Sequence, residues 1–270
     1  MKQRFPEFIN KIKDKKITID KIFFDSNILI SYFHESSSAY DTATKFFSRF
    51  DDALAESASK EPEFVICERV LDEILEYEKR KLLSDNLKSL KENKRFRPSP
   101  KMIAEINNCL RTCSTRVRRE EADIKDGKVE VFDITKWFLN DDEIKKIKRS
   151  ISSKDTEHAH GWITFCKVYI NSRISRTYKK ICEEFIVLKN TKNIEKVNSI
   201  CEMTGMGYSD SIIFQTFAES DISYIGSFDF DILYANEVLH TNKTKTVIVP
   251  SGYFGEMKYV LKTDEDGIQY

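Results

Sequence analysis

KIFFDSNILIS (Lys21–Ser31) joins two apolar runs through three small polar residues, and this pattern predicts the start of an α/β fold. The first run, Ile22 to Phe24, is too short for a helix and is rich in aromatic and β-branched residues, so it is typical of a buried strand. The Asp-Ser-Asn that follows is helix-capping chemistry, so a helix should begin there. In open α/β sheets, ligands bind beyond the carboxyl ends of the strands. Asp25 is therefore either a binding residue at such an end or only the cap of the next helix.

The composition is that of a soluble, helix-rich globular chain that can bury a sizeable core. Its 270 residues are 40% hydrophobic and 33% charged, with only 8 glycines and 5 prolines. The 44 basic residues balance the 44 acidic ones, so any affinity for nucleic acid must come from a local patch. No apolar run is long enough to span a bilayer, and the charged N-terminus lacks the apolar stretch of a secretory signal. The chain is therefore predicted to be cytoplasmic and free of membrane. Its six cysteines form no CxxC pair and are expected to be ordinary buried thiols in a reducing compartment.

Strand and helix signals alternate at both ends of the chain. Apolar, β-branched runs predict further strands at 63–67, 222–226 and 246–249. Helical periodicity predicts helices at 1–20, 26–33, 39–50, 68–81, 209–220 and 228–235. This alternation is typical of an α/β fold with a mostly parallel central sheet.

The middle of the chain, about 85–204, has a different character. It predicts helices at 100–119, 141–151, 156–171, 173–188 and 193–204, with a brief extended stretch at 129–132. The sequence RPSP at 97–100 is the clearest break, and we predict that it opens an insertion. We therefore predict one domain over 1–270, with a core at 20–84 and 205–250 and a mainly helical insertion at about 85–204.

Asp210 opens its predicted helix on the face that also carries Ile213, Phe214 and Phe217. That face is expected to turn inward. A carboxylate there is unfavourable unless a cation or hydrogen-bond donors satisfy it. We therefore favour a functional role for Asp210 over that of a first-turn acid that only complements the helix dipole.

Two further acidic positions are less well defined by spacing. Asp229 follows the strand predicted at 222–226, and Asp231 comes two residues later, so spacing alone does not choose between them. Glu73 lies at the margin of an apolar helix stripe, as does Asp72, so periodicity does not select Glu73 either.

Carboxylates gathered at the ends of strands repel one another, and each raises the pKa of the others unless a cation neutralises them. Oxygen-only ligands with few histidines nearby suit Mg²⁺ or Mn²⁺, and not zinc. Such a site is suited to the hydrolysis of phosphodiester bonds, because a metal there activates a water and stabilises charge on the leaving oxygen. The acidic residues thus favour a metal-dependent phosphodiester hydrolase.

Three stretches of the sequence resemble the motifs of the PIN-domain nucleases. FFDSNILIS (23–31) is similar to the opening motif, in which an acid follows an apolar strand and precedes a small hydroxyl residue and Asn. FVICERVLDEIL (64–75) resembles the second motif, a strand followed by a helix that carries an acid. YSDSIIFQTFAESDISYIGSFDFDIL (208–233) resembles the third and fourth motifs together. The resemblance covers about 20–82 and 205–250 and leaves the helical middle unmatched.

The resemblance implies roles for residues that periodicity leaves open. The implied metal ligands are Asp25, Glu73, Asp210 and Asp229, with Asp231 of lesser weight. Asn27 and Ser227 would orient these acids or the attacking water. The implied fold is a PIN-like three-layer α/β/α sandwich interrupted by the helical insertion. The implied activity is that of a Mg²⁺- or Mn²⁺-dependent endoribonuclease acting on single-stranded RNA. The resemblance leaves open whether an inhibitory protein partner restrains the enzyme and whether it forms a homo-oligomer.

Residues 88–119 form the clearest basic segment, with ten Lys or Arg, two acidic residues and a local net charge of +8. We predict that four arginines lie near the rim of the active site and hold the RNA backbone through sequence-independent phosphate contacts. These are Arg111, Arg116, Arg118 and Arg119. The alternative is a solvated helix face.

Two other functions would use the same residues. A structure-selective DNA nuclease would share both the acids and the basic segment. A catalytically inactive PIN-like scaffold or binding module would carry acids that no longer act, although all four acidic positions are filled here. The sequence contains no P-loop, GxGxxG motif or nucleophile elbow, so it gives no support to nucleotide-driven work or serine hydrolysis.

Overall fold

The computed structural model describes residues 2–34, 39–58, 60–125, 138–151, 156–239 and 244–250. The extended stretch predicted at 129–132 lies outside them. Within these ranges the chain is α/β, with one six-stranded sheet whose neighbouring strands are all parallel. None of the helices in the described ranges has both the length and the apolar character needed to cross a membrane. The predicted α/β class and parallel sheet are confirmed.

The order of the strands places a change of winding direction in the middle of the sheet. The strands are β1 (Lys2–Arg4), β2 (Lys21–Phe24), β3 (Glu63–Cys67), β4 (Ile186–Leu188), β5 (Tyr224–Gly226) and β6 (Thr246–Val249). Their spatial order is β1-β6-β5-β2-β3-β4. The chain therefore adds β3 and β4 on one side of β2 and then returns to place β5 and β6 on the other. The carboxyl ends of β2 and β5 flank this switch point, where ligands bind in open α/β sheets.

The helices occupy the connections between these strands and the long segment after β3. They are α1 (Phe5–Lys13), α2 (Ser26–Phe33), α3 (Tyr40–Ser57), α4 (Glu68–Glu92), α5 (Pro100–Lys125), α6 (Asp141–Arg149), α7 (Thr156–Cys166), α8 (Ser172–Glu184), α9 (Ile194–Thr204), α10 (Tyr208–Glu219) and α11 (Phe230–Val238). A 3₁₀ turn at Lys94–Phe96 follows α4, and a π-helical turn at Lys167–Asn171 joins α7 to α8.

Helices pack against both faces of the sheet, because successive strand residues point in opposite directions. Phe23 contacts Phe217 of α10, with ring centroids 5.8 Å apart. Its neighbour Phe24 points the other way and contacts Phe47 of α3 at 5.3 Å. Gly226 of β5 lies under the Phe24 ring, where a Cβ atom would come within 3.1 Å of the ring. This arrangement is compatible with a three-layer α/β/α sandwich.

A second group of apolar residues, here called the distal cluster, is separate from the core around the sheet. It is built from the C-terminal half of α4, the turn at Lys94–Phe96, and helices α5, α6 and α7. Its buried members are Leu82, Leu83, Leu87, Leu90, Phe96, Met102, Ile106, Cys109, Cys113, Leu139, Ile144, Ile147, Phe165 and Ile170. A continuous α4 thus contributes its first half to the sheet core and its second half to the distal cluster.

The N-terminal prediction was wrong in one respect. Residues 1–20 were predicted to form one helix, but Lys2–Arg4 is a strand paired in parallel with β6, and the helix spans Phe5–Lys13. The strand carries no apolar alternation, because it lies at the edge of the sheet and is held by backbone pairing. The helix itself is amphipathic as predicted, with Phe8 and Ile12 buried.

Two helix ends predicted in or beside the middle of the chain were also wrong. Helix α4 continues to Glu92 instead of ending at residue 81, so the distal cluster begins within this helix and before the break at 97–100. The helix predicted at 173–188 ends at Glu184, and Ile186–Leu188 forms the edge strand β4 beside β3. A three-residue edge strand directly after a helix gives little periodic signal. The sheet therefore includes β1 and β4, which lie outside the predicted core at 20–84 and 205–250.

A glycine in α7 provides a test of the distal cluster. A Cβ atom on Gly161 would overlap the backbone carbonyl of Phe96, which cannot move aside as a flexible side chain can. We expect Gly161→Ala to lower the free energy of unfolding by about 2 kcal/mol, although alanine favours helices over glycine. Urea denaturation measures this change, with His160→Ala on an exposed site of the same helix as the control. Equal stability of the two variants would show that α7 and the turn do not pack this closely.

Candidate active site

Asp25 lies at the centre of a group of acidic residues at the switch point. It follows β2, caps the N-terminus of α2 and is only 2% exposed. Its Oδ1 atom accepts a hydrogen bond from the Ser26 backbone N–H at 2.7 Å, and its Oδ2 atom accepts one from the Ser227 hydroxyl at 2.7 Å. Burial raises the pKa of Asp25 well above its ordinary value, and nearby Asp229 raises it further, against the opposing effect of the Ser227 hydrogen bond. Asp25 is therefore a helix cap that is also a buried acid, and its predicted role in binding stays a prediction.

Glu73 reaches this group from α4. Its Oε2 atom accepts a hydrogen bond from the Ser26 hydroxyl at 2.5 Å, and its Oε1 atom accepts one from the Ser209 hydroxyl. The Ser26 hydroxyl also lies 3.4 Å from Asp25 Oδ1, so one serine joins the two acids. Asp72, the neighbouring acid that periodicity could not distinguish from Glu73, is exposed.

Asp210 belongs to the same electrostatic group. It lies in the first turn of α10. Ile213, Phe214 and Phe217, which share its predicted inward face, are all buried. The pKa of Asp210 is raised to about 7, mainly by burial and then by the charges of Asp229, Glu73 and Asp231, in that order. Arg69 opposes this rise. The predicted inward orientation of this helix face is confirmed.

Asp229 completes the group from the loop after β5. Its backbone N–H donates to the Ser227 hydroxyl at 2.9 Å, and its Oδ1 atom accepts from the Asp231 backbone N–H at 2.7 Å, which caps α11. Burial is the main cause that raises the pKa of Asp229, and the charges of Asp231 and Glu73 add to it. Asp231 thus lies beside the group as a first-turn residue of α11.

The two polar residues expected to orient the acids occupy different positions. Ser227 is fully buried and donates to Asp25, so it contacts one acid directly. Asn27 accepts a hydrogen bond from the Phe228 backbone N–H at 3.0 Å through its Oδ1 atom. This bond ties the first turn of α2 to the loop that carries Ser227 and Asp229. Asn27 therefore positions the loop, and its predicted contact with an acid or a water stays a prediction.

The sequence did not single out three residues that connect the acids. Ser26 bridges Asp25 and Glu73, while Ser209 donates to Glu73 and lies 2.5 Å from the Nε atom of Arg69. The Arg69 Nε atom is also 3.3 Å from Glu73 Oε1. One signal was available, because Arg69 and Glu73 have the i, i+4 spacing that places two residues on one helix face. The two serines carried no comparable signal beyond their places next to Asp25 and Asp210.

The predicted RNA-contacting arginines lie on α5, which packs in the distal cluster. Arg116 makes a two-pronged ion pair with Glu143 at 3.0 and 3.1 Å and donates to the Phe138 carbonyl at 2.8 Å. The Glu143 side chain is only 5% exposed, so this pair ties α5 to α6. Arg111 is exposed and donates to Asn108. Arg118 and Arg119 are exposed as well.

The chemistry of the acidic group suits a hard divalent cation, because its donors are carboxylate and hydroxyl oxygens. Within the described residues, however, no three His, Cys, Asp or Glu side chains are grouped so that they could hold a metal ion as they stand. Both Glu73 oxygens are engaged by serine hydroxyls, and both Asp25 oxygens accept hydrogen bonds. A cation would have to replace some of these donors.

No protein-family model, curated protein or solved structure matches this chain.

Proposed function

We propose that this protein is a Mg²⁺- or Mn²⁺-dependent endoribonuclease of the PIN type that hydrolyses single-stranded RNA. One observation carries the proposal. Asp25 lies at the switch point of the sheet, and the charges of Glu73, Asp210 and Asp229, which come from three other segments of the chain, each raise its pKa. Negative charges concentrated in this way lower the stability of the folded protein. They are best explained by a cation that the site is built to bind. The motif resemblance at the same four positions supports the PIN assignment.

The residues of the chain have distinct parts in this proposal. Asp25, Glu73, Asp210 and Asp229 would hold the cation, with Asp231 beside them. When bound, the metal would supply a water of lowered pKa and stabilise charge on the leaving oxygen. Ser227 and Ser26 fix the rotamers of the acids by hydrogen bonds, which reduces the reorganisation needed when the substrate arrives.

An exposed aromatic residue in the first turn of α10, the helix that carries Asp210, supports a single strand as substrate. Tyr208 begins α10, two residues before Asp210, and is 50% exposed. Exposed aromatic rings are platforms on which unpaired bases stack, and such stacking is available to single strands and not to the paired bases of a duplex. We expect Tyr208→Ala to raise KM for single-stranded RNA about 10-fold and Tyr208→Phe to leave it near the wild-type value. An equal KM for the alanine variant would remove this basis for single-strand preference.

The direct test is a substrate comparison with the full chain. Labelled single-stranded RNA, single-stranded DNA and duplexes of both are incubated with Mg²⁺, Mn²⁺ or EDTA. The proposal predicts cleavage of single-stranded RNA with either metal and none with EDTA. Selective cleavage of branched or duplex DNA would favour the structure-selective DNA nuclease. A folded protein that cuts no substrate and binds no metal would favour the inactive scaffold.

A further inference from the structure

Arg69 lies at the rim of the acidic group. The proposed metal site gives this arginine no role. It is one helical turn before Glu73 on α4, and its side chain is 39% exposed. The backbone N–H of Arg69 donates to the Asn190 side chain at 2.9 Å, which fixes the first turn of α4 to the loop after β4. Arg69 is therefore held at the edge of the site with part of its side chain open to solvent.

The guanidinium group is anchored through one nitrogen. Its Nε atom contacts the Ser209 hydroxyl at 2.5 Å and lies 3.3 Å from Glu73 Oε1. Among the described residues, no hydrogen bond is made by its two terminal nitrogens, Nη1 and Nη2. A guanidinium fixed at one side presents its remaining N–H groups in a planar fork, which matches two oxygens of a phosphate.

An acidic site repels a polyanionic substrate. Four carboxylates at the switch point would oppose the approach of a phosphodiester strand, even after one cation has bound. A fixed positive charge at the rim offsets this repulsion and orients the strand without needing to rearrange during the reaction. The charge of Arg69 reaches the acidic group, since it opposes the rise in the pKa of Asp210.

We infer that Arg69 binds a phosphate group of the substrate next to the bond that is cleaved. Its Nε atom stays on Ser209 and Glu73, while Nη1 and Nη2 donate to two non-bridging phosphate oxygens. This inference rests on the proposed function and assigns the phosphate contact to α4, beside the acids, rather than to the arginines of α5. The competing explanation is that Arg69 only holds Ser209 and Glu73 in place for the metal.

Salt dependence separates the two explanations. Each phosphate contact to a single strand contributes about 0.7 to the slope of log affinity against log salt concentration. Loss of a phosphate contact should therefore make the slope of log kcat/KM shallower by about that amount. Loss of a purely structural contact would leave the slope unchanged and would weaken metal binding, because Glu73 would no longer be held.

The experiment compares Arg69→Gln and Arg69→Lys with Arg49→Gln, which replaces an exposed arginine of α3. Cleavage of single-stranded RNA is measured with Mn²⁺ at several salt concentrations, and Mn²⁺ affinity is measured separately without RNA. We expect Arg69→Gln to lower kcat/KM about 10- to 100-fold, to reduce the slope and to bind Mn²⁺ at least as tightly as wild type. Arg69→Lys should keep the slope and regain part of the rate, and Arg49→Gln should match wild type.

Two results would overturn the inference while leaving the nuclease intact. One is an Arg69→Gln variant with the wild-type rate, and the other is a variant with an unchanged slope and weakened Mn²⁺ binding. A wild-type protein that cuts no strand would instead overturn the proposed function, and this inference with it.

Discussion

Replacement of Asp25 by Asn is expected to lower the rate of metal-dependent RNA cleavage by about 10³-fold or more. Asp25 is the most buried of the four acids and receives hydrogen bonds on both oxygens. Asparagine removes the negative charge that would hold the cation, but its carbonyl oxygen can still accept from the Ser26 N–H. Its amide group can donate to the Ser227 hydroxyl, so the local structure should be preserved.

The control for this prediction is Asp72→Asn. Asp72 is exposed and precedes Glu73 on α4, so its replacement removes the same charge from nearby without touching the acidic group. Initial rates of cleavage of labelled single-stranded RNA with Mn²⁺ compare the two variants with wild type. Equal rates for wild type and Asp25→Asn would remove Asp25 from the catalytic machinery and would contradict the proposed site.

The metal-free protein is expected to become more stable when Asp210 is replaced by Asn. The pKa of Asp210 rises from an ordinary value of 3.8 to about 7 in the folded chain, mainly through burial and then through Asp229. Folding therefore favours the protonated form. The stabilising contribution of this group is fully present below about pH 3.8 and is lost as the pH rises through about 7.

Asparagine is neutral at every pH and avoids this loss. In EDTA at pH 8 we expect Asp210→Asn to raise the free energy of unfolding by about 1 to 2 kcal/mol, which corresponds to a rise in Tm of about 2 to 8 °C. The difference should disappear near pH 4. Addition of Mn²⁺ at pH 8 should raise the Tm of wild type more than that of the variant, because a ligand stabilises the state that binds it. A variant that is less stable than wild type at pH 8 would show that the Asp210 carboxylate is satisfied within the protein.

The strands in the interior of the sheet were predicted more readily from the sequence than the strands at its edges. Strands at Glu63–Cys67 and Thr246–Val249 have the predicted bounds, because each is a short run of apolar residues buried between helices. The edge strands β1 and β4 escaped prediction for the opposite reason. Lys2–Arg4 is polar, and Ile186–Leu188 follows a helix directly, so neither carries a pattern that local periodicity could separate from its surroundings.

The site could be predicted only in part, because the contacts that join its residues cross long stretches of chain. Asp25 and Asp210 followed from their places at a strand end and on an inward helix face. The helical wheel could not distinguish Glu73 from Asp72, and the distinction depends on the Ser26 hydroxyl, 47 residues away in the chain. Arg116 shows the reverse case, since its basic surroundings suggested RNA binding while its guanidinium pairs with the buried Glu143.

Binding of Mn²⁺ to the purified protein tests the central claim most directly, because it needs no knowledge of the substrate. Titration of free Mn²⁺ followed by electron paramagnetic resonance compares wild type, Asp25→Asn and Asp72→Asn at pH 7.5. We predict a saturable site in wild type and Asp72→Asn and an affinity at least about 10-fold weaker in Asp25→Asn. Absence of a saturable site in wild type, or equal binding by all three proteins, would contradict a metal centre at these carboxylates.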